Sequence, residues 1–163
     1  MIKDIESLSI GVEEEYQLID PNTGELTSYV TELLKEASLV SDNDVKPELL
    51  QSQIEIGSRV CDSIDELEKD LSRLRLLIKK YANKKNLDFL AAGTHPFSHW
   101  KNQVVTDKTR YRGFMDSTQY VGKRMLIFGM HVHIGIKNED LRIDVKNQMR
   151  YFIPHIMALS SSS

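Results

Sequence analysis

The sequence predicts an α+β fold, on three observations. Alternating apolar and polar residues at 10–18, 51–56 and 126–136 have the period of a strand, which sends successive side chains to opposite faces. A capping box, Ser63-Ile64-Asp65-Glu66, opens an amphipathic helix of about 20 residues, roughly 30 Å long at 1.5 Å per residue. A second helical spacing, Leu141, Val145, Met149, Phe152 and Ile156, closes the chain with a bend at Pro154. With 163 residues, 40% hydrophobic and 28% charged, one globular domain spanning 1–163 is expected.

The first strand is the most informative. In Gly11-Val12-Glu13-Glu14-Glu15-Tyr16-Gln17-Leu18, Glu13 and Glu15 share one face with Gln17, while Val12, Glu14, Tyr16 and Leu18 share the other. Like charges at adjacent positions of one face repel, and a hard divalent cation such as Mg²⁺ between them removes the conflict. An edge strand with its acids in water is the alternative.

Asp20-Pro21-Asn22-Thr23-Gly24 is a turn, and Glu25-Leu26-Thr27 is placed as a short returning strand. Val30, Leu33, Leu34 and Ala37 have helical spacing, and Ser41-Asp42-Asn43-Asp44 is a polar loop. Gln51, Gln53 and Glu55 then alternate with Ser52, Ile54 and Ile56, which puts the first three on one face. Glu55, between two isoleucines, points into a cleft or to a solvated sheet face. Glu48 joins it only if a bulge follows Pro47.

The helix opened at Ser63 buries Leu67, Leu71, Leu74, Ile78 and Tyr81, and its charges, Asp70 and Arg73 among them, are expected to be solvated. Asn86 to Ala92 reads as a buried strand. It ends in Gly93-Thr94-His95-Pro96-Phe97, either a loop held at a site or a turn with an exposed His. Residues 98–109 are polar and irregular, and 110–125 form a helix and a link. In Gly129-Met130-His131-Val132-His133-Ile134-Gly135, His131 and His133 share a face, and the glycines allow close backbone approach.

Composition excludes several classes. A net charge of -3 leaves no basic footprint for nucleic acid. No apolar run approaches a membrane span, and Met1-Ile2-Lys3-Asp4-Ile5-Glu6 lacks a signal-peptide layout. The single cysteine, Cys61, forms no internal disulfide and reads as a small buried apolar residue. A cytoplasmic protein is expected. The run Ser160-Ser161-Ser162-Ser163 follows an apolar helical stretch without a charged last turn or a Gly cap, so an end inside a longer domain is expected.

Three strands thus offer Glu13 and Glu15, Glu55 with Glu48 nearby, and His131 and His133. In one antiparallel sheet these side chains converge on a single concave face. Carboxylates in that number suit Mg²⁺ or Mn²⁺ better than structural Zn²⁺, and acids holding metal ions are what phosphoryl transfer from ATP requires. The chain has no P-loop and no Gly-x-Gly-x-x-Gly.

Gly11-Val12-Glu13-Glu14-Glu15-Tyr16-Gln17-Leu18, Pro47-Glu48-Leu49-Leu50-Gln51-Ser52-Gln53-Ile54-Glu55, Ala91-Ala92-Gly93-Thr94-His95-Pro96-Phe97, Gly129-Met130-His131-Val132-His133-Ile134-Gly135 and Met157-Ala158-Leu159-Ser160-Ser161-Ser162-Ser163 resemble, in order, the motifs of the carboxylate-amine ligases of the glutamate–cysteine ligase type 2 family. The resemblance implies a curved, mainly antiparallel sheet with helices on its outer face, as in the glutamate–cysteine ligase and glutamine synthetase superfamily. It implies ATP-dependent amide formation through an acyl phosphate of glutamate, attacked by an amine such as that of cysteine. Glu13, Glu15, Glu48, Glu55 and His131 would be metal ligands, and Thr94, His95 and His133 would lie by the substrates. ATP, an amino acid and an amine are the expected small-molecule partners, with Mg²⁺ or Mn²⁺.

Members of that family are about twice this long, so the chain corresponds to the N-terminal portion of one catalytic domain. Sheet edges and apolar surface are then expected to lie open, favouring self-association into a homo-oligomer. Two other readings compete. One is a non-catalytic remnant that serves as a binding or assembly module. The other is a Zn²⁺ hydrolase built on His131 and His133.

Overall fold

The structure is a computed structural model describing residues 8–36 and 44–160. Its centre is β1, Ser9–Ile19, the longest strand, buried at Val12, Glu14, Tyr16, Gln17 and Leu18. β1 pairs with one strand on one side and with two later strands on the other. After α1 (Val30–Glu36), β2 (Val45–Pro47) pairs with β3 (Gln53–Gly57), which pairs with β1 through Glu13↔Gly57, Glu15↔Glu55 and Gln17↔Gln53. On the opposite edge, β4 (Asp88–Leu90) pairs with the C-terminal part of β1 and β5 (Met130–Gly135) with its N-terminal part, through Gly11↔His133 and Glu13↔His131. Every pair is antiparallel, and together they form one five-stranded sheet. The α+β class and the open antiparallel sheet agree with the sequence.

The packed face of the sheet is covered by α2, Ile64–Lys84. Ser63 Oγ accepts from Glu66 N at 3.2 Å, as the capping box requires, while the Glu66 carboxylate accepts from Asp62 N, one residue earlier than the motif expects. Leu74, Ile78 and Tyr81 pack on Tyr16, Leu18, Ile54 and Ile56, with Val30 and Leu33 of α1 closing the cluster. Tyr16 meets Phe89 edge to face at 5.2 Å. Nearer the start of β1, Val12, Leu67 and Cys61 form a second cluster, and burial pushes the Cys61 thiol up.

The charges of α2 are not all solvated. Asp70 is 1% exposed, accepting from Arg59 N at 2.9 Å, Arg59 Nε at 3.3 Å and Arg73 Nε at 3.0 Å. Burial alone pushes an acid up, but here the Arg59 amide and the Arg73 guanidinium prevail and its carboxyl lies below the ordinary range. This pins the 57–61 loop to α2. A lowered folded value stabilises above the ordinary carboxylate pKa, and that contribution is lost as pH falls through the folded one. Asp70→Asn is expected to cost about 1–2 kcal/mol at neutral pH, the worth of bonds to a charged group, read by urea unfolding.

Other sequence expectations change. Glu25-Leu26-Thr27 is no strand, only a single bridge, Ile19↔Leu26. β4 is three residues long with Asp88 and Leu90 exposed, so 86–92 is not a buried strand. The strand expected over 126–136 is regular only from Met130, because Leu126 and Phe128 turn into a cluster with Leu50. Ala37, Ser41 to Asn43 and Ser161 to Ser163 lie outside the described residues. The 110–125 region is α3 (Thr109–Thr118) and α4 (Tyr120–Lys123). The last helix divides before Pro154 into α5 (Glu139–Met149) and α6 (Ile153–Leu159), where proline's missing N–H is harmless in the first turn. No helix among the described residues is long and apolar enough to cross a membrane.

Candidate functional site

The face of the sheet away from α2 carries the acids. Period two on β1 sends Glu13, Glu15 and Gln17 there, and antiparallel register places Glu55 opposite Glu15 and His131 opposite Glu13. Glu13 Oε2 lies 3.3 Å from His131 Nδ1 and 3.1 Å from His133 Nε2. A carboxylate only accepts, so those two nitrogens carry the protons, and in the neutral ring His131 Nε2 keeps its lone pair. The His133 bond, with a smaller contribution from His131, holds the Glu13 carboxyl below the usual range against slight burial.

Glu15 is held from two sides. Its Oε2 accepts from Gln53 Nε2 at 2.7 Å and from Gly129 N at 2.6 Å. Gly129 lies against both groups: a β-carbon there would stand at ordinary contact distance, 3.6 Å from Glu15 Oε2 and 3.5 Å from His131 Nε2. The Glu15 carboxylate and the His131 lone pair therefore flank the same point. Gly135 is tighter still, since a β-carbon would fall 2.1 Å from Ser9 Oγ. A side chain at this position therefore requires the Ser9 hydroxyl to rotate away, while the Ser9 backbone oxygen, 3.7 Å off, stays at ordinary contact distance.

Glu55 is the strained member. Burial raises its pKa first, then the charge of Glu48, with Lys46, 3.6 Å away, partly offsetting, and with Glu13 and Glu15 adding to the rise. Glu48, left open by the sequence, thus lies within electrostatic reach of Glu55, its own carboxylate bonded to Arg110 Nη2 at 2.7 Å and to Leu49 N at 3.0 Å. A raised carboxyl destabilises the fold above its ordinary pKa, and the penalty vanishes on acidification through the raised value. Glu55→Gln is therefore expected to stabilise the metal-free chain at neutral pH by a few tenths to about 1 kcal/mol, the scale of a like-charge pair across a sheet, and thermal melting checks it.

Thr94 and His95 sit apart from this cluster. Thr94 Oγ1 donates to Leu126 O at 2.7 Å. His95 is buried, its Nε2 donating to Gly24 O at 3.0 Å and its Nδ1 accepting from Ser98 N at 2.9 Å. Both ring nitrogens are thus engaged within the chain, tying the 93–98 loop to the turn after β1. Gln17 stays buried on the site face, its Nε2 donating to Ala92 O at 2.9 Å.

Among the described residues, no three His, Cys, Asp or Glu side chains are already drawn together as a coordination sphere. The donor set still fits a hard cation: carboxylate oxygens and one imidazole nitrogen, with negative charge in excess around Glu55. The sequence places Gln53 on this face without a role and carries no signal for two residues that reach it, Lys46 and Arg110, since each is recognised only by the carboxylate it meets.

Residues 9–163 match the family described as glutamate-cysteine ligase family 2 (GCS2). A protein of Herpetosiphon aurantiacus, provisionally named glutamate–cysteine ligase 2, is 47% identical over 155 residues, covering 95% of this chain and 40% of that protein. A protein of the same name from Roseiflexus sp. is 43% identical, covering 95% of this chain and 41% of its own length. The crystal structure of glutamate–cysteine ligase from Francisella tularensis in complex with AMP superposes with a TM-score of 0.65 at 15% identity, over 88% of this chain and 30% of that one. The fold is therefore shared, and the chain spans about 40% of the length of the curated relatives it matches.

Proposed function

Because the chain belongs to the glutamate–cysteine ligase family 2, we propose that it supplies the acidic face of an ATP-dependent carboxylate–amine ligase acting on glutamate. The observation that carries this reading is the face itself: Glu13, Glu15 and Glu55 on paired strands, His131 beside them, and Glu48 within reach. Glu13, Glu15, Glu48, Glu55 and His131 would hold Mg²⁺ or Mn²⁺. When bound, such an ion supplies neutralisation of phosphate oxygens.

In the reaction, the γ-phosphoryl group of ATP passes to the side-chain carboxylate oxygen of glutamate and ADP leaves. The amine then attacks the acyl carbon, the C–O bond to phosphate breaks, and the nitrogen loses a proton as the amide forms. The chain's own residues act by position. His133 aims Glu13 and stands at the substrate side, Gln53 and Gly129 fix Glu15, and Thr94 and His95 hold the neighbouring loop in place.

A second reading is supported by the length of chain shared with the relatives and by the open surface of β5. Met130, Val132 and Ile134 are exposed there, as are Ile153, Ile156 and Met157 of α6. An exposed apolar surface of this kind suits a binding or assembly module and a site of self-association. One experiment separates the two. The chain is assayed for ADP release with glutamate and an amine, alone and mixed with the portion of the Herpetosiphon relative that follows the matched segment. ADP formation requiring both substrates supports the ligase. Tight Mg²⁺–ATP binding with no turnover in either mixture supports the module.

A further inference from the structure

Arg110 has no place in the proposed chemistry, yet it reaches the acidic face. Its Nη2 donates to Glu48 at 2.7 Å, and the guanidinium lies 4.4 Å from the ring centroid of Tyr111 and bonds the Tyr111 hydroxyl. The two partners differ in exposure. The Glu48 side chain is 18% exposed and is tied to Leu49 N, whereas the Arg110 side chain is 65% exposed and reaches in from solvent. Tyr111 is buried, so the ring under the guanidinium is a fixed platform. Neighbouring cations are committed elsewhere: Lys108 Nζ donates to Pro47 O at 3.1 Å, and Arg112 pairs with Asp107 at 3.0 Å.

We propose that Arg110 is a displaceable counter-ion, holding Glu48 while the face is metal-free and transferring its guanidinium to a nucleotide phosphate when a divalent cation takes that carboxylate. This rests on the reading of the face as a cation and nucleotide site. A guanidinium does not lose its proton near neutral pH, so a cation arriving beside Glu48 repels it rather than discharging it. Its planar fork then matches phosphate oxygens as well as it matches a carboxylate. The acids around Glu55 thus take up a metal ion without leaving Glu48 unpaired beforehand. Metal binding and nucleotide binding become coupled through one side chain. Arg110 touches the nucleotide in this scheme, and the readout is a pair of opposed changes, tighter metal and weaker nucleotide binding, which a merely structural role does not produce.

The test measures Mn²⁺ binding by electron paramagnetic resonance, and ATP binding by calorimetry with and without Mn²⁺, on the full chain. Arg110→Ala is expected to bind Mn²⁺ alone about three- to fivefold more tightly, because a competing, partly exposed ion pair is gone. The same variant binds ATP in the presence of Mn²⁺ about tenfold more weakly, the worth of a bond to a charged group. Arg110→Lys keeps the charge without the fork, so Mn²⁺ affinity stays near the parent and ATP affinity falls between the two. Unchanged or weaker Mn²⁺ binding in Arg110→Ala, or unchanged ATP binding, overturns the proposal while the reading of the face stands. A parent chain that binds neither Mn²⁺ nor ATP overturns that reading, and the proposal with it.

Discussion

Glu13→Gln is expected to weaken Mg²⁺-dependent ATP binding by about a hundredfold, at the upper end of what loss of a group supporting a metal site costs. The fold is expected to survive. Glu13 is half-buried, and its carboxylate bonds only His131 and His133 among the described residues, both of them exposed, so an amide of the same shape keeps the strand pairing Glu13↔His131. What it removes is the charge at the point where β1 and β5 meet. Circular dichroism melting beside calorimetry separates a lost ligand from a lost fold. A variant that binds Mg²⁺–ATP like the parent removes Glu13 from the site.

On the opposite face of β1, Arg75→Ala is expected to destabilise the chain by about 1–2 kcal/mol, below the roughly 3 kcal/mol of a fully buried ion pair, because the Arg75 side chain is half-exposed and solvent screens its charge. Glu14 is buried, and Arg75 of α2 bonds both its oxygens and the Tyr16 hydroxyl, with Nε 3.0 Å from Glu14 and 2.9 Å from Tyr16. Burial pushes Glu14 up, but the bonds from Arg75 and Tyr16 outweigh it and hold the carboxyl below the ordinary range. Tyr16 is pushed up, first by burial and then by Glu14. The sign follows. A lowered acid contributes its full stabilisation above the ordinary carboxylate pKa and loses it as pH falls through the folded value. In Arg75→Ala the dependence inverts, since an unpaired buried carboxylate is relieved by protonation. Urea unfolding at neutral and acidic pH is therefore expected to show the variant losing less on acidification than the parent. Glu14→Leu combined with Arg75→Leu is expected to cost less than Arg75→Ala alone, because no charge is left stranded.

How much of this was legible depended on the range of the interaction. β1 declared its two faces because a period of two needs only its own residues, and Glu13 and Glu15 fell where that period put them. The Ser63 box was equally local. Glu14 was assigned to the packed face, but its partner sits 61 residues away on α2, and no pattern in α2 marks Arg75 as the residue that docks there. Asp70 looked like one more solvated charge until helix packing turned it toward Arg59. β4 looked buried because Leu87, Phe89 and Leu90 are apolar, yet whether a strand is covered depends on what lies over it. The stretch 126–129 reads as strand by composition. It departs from the ladder because Gly129 N is taken by the Glu15 side chain and Phe128 N by Gly93 O at 3.0 Å. The convergence of the acids was visible only as a condition on sheet order, and pairing of β1 with both β3 and β5 meets that condition.

The most direct test titrates Mn²⁺ into the isotopically labelled chain and follows paramagnetic broadening of its amide resonances. If the acids of β1 and β3 and the imidazole of β5 grip one divalent ion, Glu13, Glu15, Glu55, Gly129 and His131 broaden first and together, and Glu13→Gln abolishes the effect. Broadening that begins instead along the exposed acids of α2, Asp65, Glu66 and Glu68, contradicts it.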